Sequence, residues 1–245
     1  MIAAVLLDMG GVLIGLENAR GLPDSRFDWR GRQALLALIR ARGGKVRAAQ
    51  LDRLLFEPWQ AEYERRYELG REANWKPHLT RLRRRAGVRL HDVTLLGAWF
   101  RPYGEALGAL DGALETLSWL RRRGLALAVV SNVPMPGALY RKILDRHGLA
   151  ASIDSFHFSY DEGSRKPSPV MVRHALAALG VDASQALMVG DRRDSDVAAA
   201  RAAGVAAVWL RRPDGGGPAP DHTIDELAEL PALVRRLGGG GRKRR

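Results

Sequence analysis

The chain has no cysteine, which excludes disulfides, thiolate metal sites and a cysteine nucleophile. Its six histidines (His78, His91, His147, His157, His174 and His222) have no ligand spacing, so none is assigned to a metal. No Gly-x-Ser-x-Gly elbow surrounds Ser131, which argues against a serine hydrolase triad. No apolar run approaches the roughly 20 residues of a membrane helix. The N-terminus is apolar but lacks a basic lead segment and a small-residue cleavage site, and Asp8 interrupts it. No signal peptide is expected, and the cytoplasm is the expected compartment. There is no internal repeat.

Acidic residues are also in short supply, 27 against 39 basic ones, for a net charge of +12. Such an excess invites a nucleic-acid reading. However, 34 of the basic residues are arginines scattered along the whole chain, and positions 242–245 alone supply a third of the excess. No specific nucleic-acid partner is expected, and no membrane partner. Arg81, Arg83, Arg84 and Arg85 fit a solvated helix face, with attraction of an anionic substrate as the alternative.

What is present suits a globular protein of one domain, or of one domain carrying an insertion: 245 residues, 46% hydrophobic. Continuous apolar runs at Ala3–Leu7 and Leu125–Val130, with weaker or shorter strands near Ser155–Phe158, Leu187–Val189 and Val205–Leu210, predict a parallel sheet whose strands are buried on both faces. Between residues 111 and 210 they alternate with helical patterns. Val172, Ala175, Leu176 and Leu179 follow the i, i+3, i+4, i+7 rule before Gly180. The prediction is an α/β fold, a doubly wound parallel sheet.

More than a hundred residues separate the first two strands. Residues 17–103 read as helices only: Gln33–Arg42, Ala48–Phe56, Glu62–Leu69, Trp75–Arg85 and His91–Phe100. They predict an inserted all-helical cap (17–103) over a core of residues 1–16 and 104–237, followed by a disordered basic tail, 238–245. Trp29, Trp59, Trp75 and Trp99 fall in the insertion, where packing between helices accounts for them, with a substrate wall as the alternative. Asp214–Pro220 reads as a loop.

Asp8 closes the first strand and opens a glycine turn in Asp-Met-Gly-Gly-Val-Leu (8–13); Asp191 and Asp196 follow a later strand in Val-Gly-Asp-Arg-Arg-Asp-Ser-Asp-Val (189–197). Carboxylates at the carboxyl ends of parallel strands point into the crevice where such sheets bind ligands. Grouped there, they suit a hard cation such as Mg²⁺. Taken singly, each residue has an ordinary alternative. Asp194 and Asp196 fit helix caps, Ser131-Asn132 a turn, and Lys166 a solvated loop lysine.

With Val-Val-Ser-Asn (129–132) and Arg-Lys-Pro-Ser-Pro (165–169), these pieces occur in the order and spacing of a known family. Over residues 1–237 the chain resembles the haloacid dehalogenase-like (HAD) superfamily, in the subgroup with a helical cap. The resemblance implies a Rossmann-like core and a Mg²⁺-dependent phosphatase for a small phosphorylated metabolite. Asp8 would be the nucleophile, with Lys166 and Ser131 assisting. Met9, Gly10, Gly11, Ser131, Asn132 and Lys166 would surround the phosphoryl group. Asp8, the Gly10 carbonyl, Asp191 and Asp196 would serve the metal, with Asp196, or Ser195, orienting a metal-bound water or Lys166.

One departure matters. The family usually has an aspartate two residues after the nucleophile, acting as general acid and base, and here that residue is Gly10. Activity is expected to favour acyl, aryl or anomeric phosphates, whose leaving groups need little help. A 2-haloacid dehalogenase, and a regulatory module that has lost chemistry, are the alternatives. Substrate choice would lie in residues 13–30 and 57–76, where no spacing names a ligand. The oligomeric state is open.

Overall fold

The computed structural model describes residues 1–16, 24–67, 69–213 and 216–238. The expected tail lies outside them apart from Gly238, as do positions 214 and 215 of the expected loop.

Six parallel strands form one sheet: β1 (Ala4–Leu7), β4 (Ala126–Ser131), β5 (Ser155–Phe158), β6 (Ala186–Gly190), β7 (Ala206–Leu210) and β8 (His222–Ile224). Their order is β5-β4-β1-β6-β7-β8. Every residue of β1 is fully buried, as its unbroken apolar run requires. Val5, Leu7, Leu127, Val129, Leu187 and Val189 face one core layer, and Ala4, Leu6, Ala128, Val130, Ala186 and Met188 the other. This two-residue alternation between two apolar layers is what helices on both faces impose.

The first layer carries helices α6 (Ala113–Arg122), α7 (Gly137–Arg146) and α11 (Leu230–Arg236); the second carries α9 (Val170–Leu179) and α10 (Ala198–Ala203). A short turn of helix, α8 (Ser159–Glu162), follows β5 directly. The predicted doubly wound α/β fold is therefore the observed one. β1 sits where the chain order reverses, between β4 and β6, and the carboxyl ends of these three strands frame the crevice.

The helical insertion lies between two short antiparallel strands, β2 (Ile14–Gly15) and β3 (Gly108–Ala109). It contains α1 (Asp24–Ala41), α2 (Ala48–Leu51), α3 (Glu57–Tyr67), α4 (Lys76–Ala86) and α5 (Asp92–Ala106), with a π-helical turn at Asp52–Phe56 joining α2 to α3. α1 begins nine residues before the expected start at Gln33. Residues 24–32 are mostly polar and their two aromatics, Phe27 and Trp29, mark no apolar period; the Trp99 indole N–H of α5 donates to Asp28 there at 3.2 Å. At Gly31 a Cβ would come within 2.2 Å of the Trp99 carbonyl oxygen. The ribbon of β2 and β3, the last strand β8 and the helices α7, α8 and α11 had no separate signal in the sequence.

Three of the four insertion tryptophans pack as expected. Trp59 and Trp75 stack with centroids 4.1 Å apart and rings 8° from parallel, and Trp99 meets Trp75 at 5.3 Å. Trp29 is exposed instead. Trp75 also reaches the core: its indole N–H donates to the Pro134 carbonyl at 2.7 Å.

Trp75 is fully buried, so Trp75→Ala is expected to lower unfolding free energy by about 3–5 kcal/mol through lost burial and the cavity left behind. Urea denaturation of the variant beside the parent protein measures it. A midpoint unchanged from the parent would contradict this packing.

Candidate active site

Asp8, Ser131 and Asp191 occupy neighbouring strand ends. Leu7 is level with Val129 on β4 and with Val189 on β6, so the residues that follow emerge side by side. The Asp8 N–H donates to the Val189 carbonyl at 2.8 Å, continuing the ladder one step beyond β1. Carboxylate oxygens of Asp8, Asp191 and Asp196 all lie within 4.8 Å of one another. These three residues, spread over 188 positions of the chain, form one acidic group.

Lys166 enters this group from another loop. Its ammonium lies 3.0 Å from Asp8 Oδ1 and 2.6 Å from Asp196 Oδ1, and donates to the Val130 carbonyl at 2.7 Å. Its side chain is 1% exposed, so three close oxygens replace its hydration shell. Burial opposes its charge, but Asp196 and Asp8 outweigh burial and hold its pKa above the usual lysine value.

The loop bearing Lys166 is held by Asn132. The Asn132 side-chain oxygen accepts the Lys166 N–H at 2.8 Å, and its amide nitrogen donates to the Lys166 carbonyl at 2.9 Å. The same amide lies 3.5 Å from Ser195 Oγ. The Asn132 side chain thus ties two loops together, a role that the sequence did not reveal. Ser131, last residue of β4, is buried beside it.

The turn after Asp8 is closed by its own backbone. Met9 N–H donates to Asp8 Oδ1 at 2.7 Å, and the Met9 carbonyl accepts the N–H groups of Leu13 at 2.8 Å and Ile14 at 3.0 Å. Gly11 has φ +73°, and a Cβ there would meet Asp191 Oδ2 at 2.1 Å; glycine alone permits this approach. Gly10 is exposed, and a Cβ built on it meets nothing within 4 Å.

Asp196 is 1% exposed. Besides Lys166 it accepts the Arg192 backbone N–H at 3.0 Å, through Oδ2. Burial raises its pKa, and Lys166 works against that rise. Asp191 is partly exposed, with its pKa pushed up to about 7 by burial and then by the Asp8 and Asp196 charges, Lys166 opposing. A carboxyl so disfavoured as an anion marks excess negative charge that a cation would relieve. The donor set is entirely oxygen and matches a hard divalent ion.

With this geometry in view, the comparisons with known proteins identify the class. A sequence model of haloacid dehalogenase-like hydrolases matches residues 2–204. The chain belongs to that family. It is 42% identical over 118 residues to the phosphoserine phosphatase of Thermus thermophilus, a stretch that is 46% of each chain. It is also 27% identical to a HAD phosphatase from Thermococcus onnurineus, with a TM-score of 0.62 covering 98% and 99% of the two chains. A 2-haloacid dehalogenase from Pseudomonas syringae shares the fold, at 24% identity and TM-score 0.64 over 97% and 100%. The chain spans about two fifths to two thirds of the length of the first curated relatives it matches.

The raised Asp191 pKa makes metal-free stability depend on pH. The folded state holds a proton up to about pH 7 that the unfolded chain releases near pH 4. That contribution is therefore complete below pH 4 and is lost as pH rises through 7. Asp191→Asn is expected to flatten this part of the Tm–pH curve. Saturating MgCl₂ is expected to raise the Tm of the parent protein by about 5–10 °C at pH 8, and by much less at pH 5. Calorimetric scans on both proteins check this. Equal shifts at the two pH values would contradict it.

Proposed function

We propose that this protein is a Mg²⁺-dependent phosphatase that acts on a small phosphorylated metabolite through an aspartyl-phosphate on Asp8. The observation that carries the reading is the convergence of Asp8, Asp191 and Asp196 around the buried ammonium of Lys166. Such a cluster suits phosphoryl transfer, in which a lysine and a divalent ion offset the negative charge of the transferred group. In this reading residues 17–103 form the cap, and residues 1–16 with 104–237 the core.

Asp8 Oδ1 is held by the Met9 N–H and by Lys166, which leaves Oδ2 as the attacking oxygen. An Oδ2–P bond forms as the ester P–O bond breaks, and the leaving oxygen departs with the electron pair. Water then attacks phosphorus, the P–Oδ2 bond breaks, and the Asp8 carboxylate is regenerated. Lys166 balances charge on the transferred group, held in place by Asp196. Ser131 presents its hydroxyl, and the backbone at Met9, Gly10, Gly11 and Asn132 surrounds the phosphoryl oxygens. Asp8, Asp191 and the Gly10 carbonyl, with Asp196 behind them, would hold Mg²⁺, which would supply positive charge against those oxygens.

Gly10 offers no carboxyl to protonate the leaving oxygen. The substrate is therefore an acyl, aryl or anomeric phosphate, whose leaving group departs as a stable anion or is easily expelled. Missing the second aspartate is also compatible with a dehalogenase. That chemistry makes no use of a cation at Asp191, so loss of turnover on chelation separates the two readings.

Acetyl phosphate and phenyl phosphate are expected to turn over at least about tenfold faster than a simple alkyl phosphate, with Asp8→Asn inactive on all three. Equal rates on all three would contradict the leaving-group argument. Unchanged turnover in Asp8→Asn would contradict the reading as a whole. Position 10 has room for a side chain, so Gly10→Asp is expected to raise alkyl phosphate turnover by about tenfold or more, within the range of general acid catalysis. Steady-state kinetics on the two proteins measures the change.

A further inference from the structure

Glu72 belongs to the helical insertion, yet it is 4% exposed and its carboxylate meets Ser159 of the core. Ser159, itself fully buried, donates its hydroxyl to Glu72 Oε2 at 2.7 Å and accepts the Val133 N–H at 2.8 Å. The Arg165 guanidinium lies 3.5 Å from the same Glu72 oxygen and 3.3 Å from the Tyr63 hydroxyl. It is 4.3 Å from the Tyr67 ring centroid. Arg165 is also buried, so a charged pair is sealed between the insertion and the core.

Both arms of this contact end beside Lys166. Through Ser159 the carboxylate holds Val133, the neighbour of Asn132, and Asn132 grips the Lys166 backbone at two points. Through the guanidinium it holds Arg165, the residue before Lys166. The backbone closes the same seam: Arg165 N–H donates to the Gly70 carbonyl at 3.0 Å, and Arg71 bridges Ser164. Three residues on, the Trp75 indole holds Pro134.

We infer that Glu72 is a positioning residue for the lysine of the site: from the cap it sets, through Ser159 and Arg165, the two core loops between which Lys166 is held. The inference rests on the phosphatase reading above. A pair that merely glued the insertion to the core would be an expensive choice, because apolar side chains of similar volume usually serve at least as well. The directional bonds instead fix where two particular loops sit. Cap residues thereby control the aim of a core ammonium without touching substrate.

The test uses the full chain with MgCl₂ and orthovanadate as probe, read by quenching of tryptophan fluorescence, beside acetyl phosphate kinetics. Near-UV circular dichroism establishes that each variant is folded at the working temperature. Glu72→Ala is expected to weaken vanadate binding at least tenfold and to lower kcat by a similar factor. Glu72→Gln keeps an acceptor for Ser159 and is expected to recover most of both. Ser159→Ala, which removes only the shared hydroxyl, decides by the same criterion if Glu72→Ala does not fold. A folded variant of either kind that binds vanadate and turns over acetyl phosphate like the parent overturns the inference. A parent protein that does neither overturns the phosphatase reading itself.

Discussion

A single ammonium group organises this molecule. Lys166 sits almost without solvent between Asp8 and Asp196, with a main-chain carbonyl as its third partner. Desolvating a lysine costs several kcal/mol unless oppositely charged partners replace its water. The converse also holds: Asp8 and Asp196, both buried, would repel each other without the cation between them. Neither side of the cluster is tenable alone, so the chain must bring its distant parts together.

The sheet accomplishes this by topology. Placing β1 between β4 and β6 puts three strand ends at one edge, where their next residues become neighbours without further adjustment. Two glycines then allow the close approach: Gly11, whose backbone abuts the Asp191 carboxylate, and Gly190, where a Cβ would lie 2.2 Å from Asp196. Lys166 arrives on a loop that no strand defines. It therefore needs outside support, which Asn132 gives from the core and Glu72 from the insertion. Strand ends carry Asp8 and Asp191, the turn at Arg193–Val197 carries Asp196, and a tied loop carries the ammonium.

Much of this was legible in the sequence, for reasons that are local. Strands buried on both faces are written as unbroken apolar runs, so Val5–Leu7 and Leu187–Val189 declared themselves together with the aspartates that follow. The insertion declared itself by length and helical period. What stayed hidden depends on partners far away in the chain. The polar start of α1 is stabilised against α5, and Trp29 lies in that helix with its ring in solvent. The contact between Glu72 and Ser159 spans 87 positions, and neither residue stands out from its neighbours. Asn132 was expected beside the phosphoryl group, whereas its grip on the Lys166 backbone appears only once both loops are placed.

The central claim is that the acidic side of the cluster exists to hold a divalent cation beside Lys166. Crystals grown with Mn²⁺ as an anomalous scatterer test it most directly, because manganese accepts the same oxygen ligands as magnesium. The account predicts one strong peak within bonding distance of carboxylate oxygens from both Asp8 and Asp191, with the Lys166 ammonium still between Asp8 and Asp196. No peak there in an enzyme that remains active, or a peak that displaces Lys166 from those carboxylates, would contradict it.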